Sequence, residues 1–78
     1  MAIYFFDTHD DGRIILDDEG LEFPNLERVK VEAARSLAEL ARDVLPSSTR
    51  REMAVFVRDA RSVHVLKTTL VFEVVVLI

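Results

Sequence analysis

The chain has 78 residues, half of them apolar and 31% charged, with a net charge of −4 and no cysteine. A single domain this small buries only about 60% of the surface its unfolded chain exposes. The apolar content excludes intrinsic disorder, the missing cysteines exclude disulfides and thiolate metal sites, and a second copy is the remaining way to add buried surface.

The strand signal comes first. Ala2 to Thr8 is rich in aromatic and β-branched residues, and His9-Asp10-Asp11-Gly12 supplies the Asp-Gly step of a tight hairpin turn. The return strand is Arg13 to Asp17, Asp18-Glu19-Gly20 interrupts it, and Glu22-Phe23-Pro24 reads as extended because a residue before proline is pushed out of the helical region.

Asn25 then offers an N-cap to a helix running to about Leu45, whose apolar positions Leu26, Val29, Ala33, Leu37, Leu40 and Val44 step by three or four. Pro46 ends it, and Ser47-Ser48-Thr49 connects onward. Arg28, Glu32, Arg35, Glu39 and Arg42 alternate in sign on its polar side, which reads as a solvated face rather than a phosphate-reading one. Two further strands, Glu52 to Arg58 and His64 to Val76, flank a turn at Asp59-Ala60-Arg61-Ser62-Val63.

The residues thus predict one α+β domain over 1–78, ordered β-β-α-β-β, with a four-stranded, mostly antiparallel sheet and one helix on one face. The first and last strands are the most apolar, so they are expected centrally and parallel to each other, in the order 2-1-4-3. An all-antiparallel 2-1-3-4 is the competing order.

Both faces of these strands are apolar, and one helix of about 20 residues covers one face only. A homodimer is therefore expected, joined face to face or edge to edge, with Ile3, Phe5, Val65, Val71, Val75 and Leu77 as candidates for its contact surface.

Charge is unevenly spread. Residues 1–25 carry seven acids against Arg13, residues 26–45 are balanced, and residues 46–78 carry five bases against three acids. Solvated loops are the expected reading, with head-to-tail alignment of protomers as the alternative. Arg50, Arg51, Arg58 and Arg61 form the only basic cluster, which a dimer could assemble into one nucleic-acid-binding surface of antitoxin type.

Catalytic and metal signals are weak. Asp7 to Asp18 partly imitates a twelve-residue calcium loop, but His9 stands at position 3 and Asp18 at position 12, where Asp or Asn and a bidentate Glu belong. His9 beside Asp10 and Asp11 lacks a known third partner, and whether His64 meets it is open. Neither a nucleophile elbow nor a glycine-rich phosphate cradle is present. Tyr4, Phe5 and Phe6 read as packing residues rather than a base-stacking platform, since Asp7 follows directly. No enzyme activity, cofactor or metal is expected.

The first eight residues show no export signal. The longest apolar stretch, Leu70 to Ile78, is interrupted by Glu73 and is too short to cross a bilayer as a helix, so no membrane association and a cytoplasmic location are expected.

Tyr4-Phe5-Phe6-Asp7, Asp10-Asp11-Gly12, Asp17-Asp18-Glu19-Gly20, the Leu/Ala helix and Val57-Arg58-Asp59 together resemble a family of short bacterial proteins known only as a domain of unknown function, marked by a YFFD-x-x-DDG hairpin. The similarity covers nearly the whole chain and implies a free-standing module without assigned residue roles. Members often place glycine in the second hairpin turn, where this chain has Ala60-Arg61-Ser62. The function expected is that of a small non-enzymatic homodimeric interaction module, with an unidentified protein as a further candidate partner; a nucleic-acid-binding regulator is the alternative.

Overall fold

The computed structural model describes residues 1–78. Its elements are β1 (Ala2–Asp10), β2 (Arg13–Ile15), β3 (Leu21–Phe23), α1 (Leu26–Val44), a 3-10 turn (Leu45–Ser47), β4 (Arg50–Asp59) and β5 (His64–Glu73). One antiparallel sheet holds all five strands in the order β2-β1-β4-β5, with β3 also pairing β1. The α+β class holds, with one strand more than expected: the extended stretch around Phe23 pairs with Ala2–Tyr4.

The strand order corrects the expectation. β4, not β5, lies next to β1, so the all-antiparallel competitor is the observed arrangement. β4 also holds all the buried apolar strand residues, Met53, Ala54, Val55 and Val57, whereas β5 is an edge. Burial explains it: Met53, Val55 and Val57 of β4 form the row that packs against α1, so β4 takes the inner place and β5 the edge.

The turns follow local chemistry. Asp11 and Gly12 both adopt positive φ, 53° and 89°, as a two-residue primed turn requires. In the β4–β5 turn Ser62 takes φ 64° where a glycine would be free of strain, while the Asp59 carboxylate accepts from the backbone N–H groups of Arg61 and Val63. A bulge between Val57 and Arg58 shifts the register so that Leu66 pairs with Val57 but His64 pairs with Arg58. Val65 is the extra residue, and the slip carries His64 to the opposite face of the sheet from Leu66.

α1 begins at Asn25, whose side chain accepts from the Arg28 N–H at 3.0 Å. Its buried residues Val29, Ala33, Leu37 and Ala41 recur every four positions and meet Met53, Val55 and Val57 on the sheet. Tyr4, Phe6, Phe23, Leu66 and Leu70 border this core. One sheet face is thus covered by the helix, and what the other face carries decides where a site can be.

Candidate functional site

Side chains that do more than fill the core gather in three places: beside the outer edge of β1, on the sheet face opposite α1, and along the free edge of β5.

Asp7 is the one buried charged residue, 2% exposed, and it lies on the face away from the helix. Its shelter comes from the chain between β2 and β3. The two short strands occupy the ends of one edge of β1, and the residues between them bow out over the middle. There the Asp17 carboxylate accepts from the Phe6 N–H at 3.0 Å, filling the gap in the ladder, and also from the N–H groups of Glu19 and Gly20. The Asp17 N–H in turn donates to Asp7 at 3.0 Å.

Arg58, reaching over from β4, closes the network. Its guanidinium donates to both Asp7 oxygens, at 2.9 and 3.3 Å, and to the Asp17 carbonyl at 2.6 Å, while lying 4.6 Å over the Phe5 ring. Gly20, at φ +75°, lets the bowed segment approach: a Cβ there would stand 2.9 Å from both Ile3 and Phe5.

Burial pushes both carboxyls up, but hydrogen bonds and neighbouring positive charge outweigh it. For Asp7 the Arg58 hydrogen bonds, the Asp17 N–H and the charges of Arg58 and His64 leave it below the usual range. For Asp17 the three backbone N–H groups and Arg58 do the same. Every oxygen of the two carboxylates is engaged within the chain, so this is a clamp that positions a loop, with no group left over for chemistry.

Next to the clamp, Phe56 is ringed by cationic and imidazole side chains. His9 lies 4.3 Å and His64 5.7 Å from its ring, and the Lys67 ammonium is 5.1 Å above it. The structure thus brings the two histidines to one aromatic ring, a meeting that the sequence left open. A shallow groove of about 400 Å3 runs past His9 and Lys67, with Asp11, Glu52 and Thr69 on its walls. No three His, Asp or Glu side chains converge as metal ligands: in the calcium-like stretch Asp7 faces Arg58, Asp11 forms the turn and Asp17 bonds the backbone.

The four arginines do not form one patch in the chain. Arg50 pairs with Glu52 and Glu73, Arg51 holds Asp10 bidentately at 2.8 and 2.9 Å, and Arg58 is in the clamp. Arg51 and Arg58 stand seven residues apart on β4, about 23 Å along a strand. Part of the acidic excess of residues 1–25 is compensated the same way. Asp7 and Asp10 are matched within the chain by Arg58 and Arg51, whereas Asp11, Asp18, Glu19 and Glu22 are exposed, as the reading of solvated loops expects.

Of the residues considered for a dimer contact, Ile3, Val65, Val71, Val75 and Leu77 are exposed. Phe5 is half-buried beneath Gly20 and Arg58. The bowed loop therefore already covers part of the second face around β1, and the exposed apolar residues concentrate on β5 and beyond. Val74 to Ile78 continue past the sheet, exposed throughout, held by one backbone bond from Val74 to Thr49. Beside them, Ala38, Ala41, Leu45, Pro46 and Phe72 line a second, mostly apolar groove of about 410 Å3 between α1 and β5.

Asp7, Asp17, Gly20 and Arg58 come from the stretches that carry the family resemblance, and the clamp gives them a common physical task. Spacing could not have revealed it, since Asp7 and Arg58 are 51 positions apart; the signal available was a carboxylate directly after the aromatic run Tyr4-Phe5-Phe6 in a strand. No helix is long and apolar enough to cross a membrane. No curated protein and no solved structure matches the chain. A family model does match, over residues 3–71, and the chain belongs to the family it describes, Domain of unknown function (DUF6894).

Proposed function

We propose that this chain is a small non-enzymatic interaction module that works as a homodimer. The observation that carries the reading is the uncovered apolar surface along one side of the molecule. Val71, Val74, Val75, Val76, Leu77 and Ile78 are between 47% and 113% exposed, and nothing of the same chain lies over them. Contiguous apolar surface of this kind marks association sites in soluble proteins.

The absence of a catalytic role in this reading rests on how the polar groups are used. The two clamp carboxylates are consumed by hydrogen bonds within the chain, and the two histidines sit against the Phe56 ring, with no third ligand or nucleophile beside them. The arginines that would serve a nucleic-acid-binding regulator are mostly neutralised by neighbouring acids, which weighs against that alternative.

Sedimentation equilibrium at micromolar concentration tests the reading. The expected species has twice the 8.9 kDa mass of the chain; a monomer across the accessible concentration range would overturn it.

A further inference from the structure

Three features of the β5 side fit one another. First, β5 is a ten-residue edge strand with no proline to block pairing, and such edges are templates for another strand. Val74 donates its N–H inward to Thr49, so by the alternation of an antiparallel ladder the polar backbone groups of Val71, Glu73 and, if the strand direction continues, Val75 and Leu77 point to the open side.

Second, the same alternation sorts the side chains. Leu66 and Leu70 pack against the helix side, and Phe72 lines the apolar groove there, so Val76 and Ile78 share that side along a continuing strand. Third, the segment from Leu70 to Ile78 has a single charge, Glu73, already 3.2 Å from Arg50. Two copies meeting through this segment oppose no uncompensated carboxylates.

We infer that two copies pair antiparallel through the end of β5 and its continuation, centred on Val74, so that Val76 of each copy covers the groove between Ala38, Ala41, Leu45, Pro46 and Phe72 of the other. The inference rests on the homodimer reading above and supplies its geometry. In this register Glu73 stands opposite the partner's Val75 and Phe72 opposite the partner's Val76, and every outward backbone group between 71 and 77 finds a partner. The two helices then lie on the same face of one continuous sheet. A nine-residue strand contact is about 30 Å long but narrow; filling both grooves widens it towards the roughly 1,200 Å2 from which specific interfaces start. The family match ends at residue 71, so most of this contact lies beyond the matched segment.

Disulfide trapping tests the register, because the chain has no cysteine of its own. On the twofold axis, Val74 meets its counterpart as a non-hydrogen-bonded pair with Cα atoms about 4.5 Å apart, within disulfide range. Val74→Cys under mild oxidant is expected to give a covalent dimer, and Val63→Cys, in the turn at the other end of β5, is not. Val76→Asp is expected to weaken dimerisation at least tenfold while leaving the far-ultraviolet circular dichroism unchanged, since Val76 contributes nothing to the core.

A wild-type chain that sediments as a monomer overturns the homodimer reading and this inference together. A wild-type dimer that Val74→Cys does not trap, or that Val76→Asp leaves as tight as before, overturns this geometry alone.

Discussion

A carboxylate sealed into a sheet face ties folding to proton activity. Asp7 and Asp17 are held below the ordinary carboxyl range, so the unfolded chain binds more protons than the folded one as pH falls through the unfolded value of about 3.9. The stability they contribute is complete above that pH and is lost progressively below it. Asp7→Asn is expected to cost about 3 kcal/mol at pH 7, because it leaves the clamped arginine without its charge partner. The gap between variant and wild type should shrink in urea denaturation at pH 3. The glycines divide similarly by surroundings. Gly20→Ala meets Ile3 and Phe5 at 2.9 Å and is strained at φ +75°, whereas a Cβ at Gly12 meets nothing within 4 Å. Thermal denaturation is expected to show a loss of about 3 kcal/mol for the first and about 1 kcal/mol for the second. Turn chemistry gave Gly12 its place in the hairpin but left Gly20 as a mere break and Arg58 as one of a basic cluster; their shared part in the clamp was not legible from it.

Single elements were easier to read than their neighbours in space. The helix stripe and its Asn25 cap fall where the 3–4 spacing puts them, and Asp11-Gly12 forms the two-residue turn its chemistry specifies. The run from Ala2 extends two residues further than expected, to Asp10, and the last strand stops three residues earlier, at Glu73. The apolar content of β5 misled because it reflects an exposed edge and continuation, not a central position; β4, with Glu52 and three arginines in its sequence, hides its apolar residues better. One residue of β5 remains mismatched to its place. The Thr68 hydroxyl is buried on the helix side with no hydrogen-bond partner. Thr68→Val keeps the shape and removes the orphaned group, and is expected to raise stability by about 1 kcal/mol in urea denaturation.

For the molecule as a whole, the two margins of the sheet differ. On one side β2 and β3 are three residues each, separated by the bowed loop; on the other β5 runs ten residues, its one irregularity at Val65 near its start. Short, broken margins are poor templates for strand addition and long ones are good. The class of the fold and its helix face were readable from periodicity, but this asymmetry was not, because it depends on which strands share β1. It bears on a hazard that any protein with a sticky strand faces. A sheet that can accept a neighbour at both margins grows into a fibril, whereas one with a single receptive margin is used up by its first union. Raising the concentration a hundredfold in sedimentation velocity should therefore enrich the pair and produce nothing heavier, and it is the bowed loop, far from the contact, that sets this ceiling.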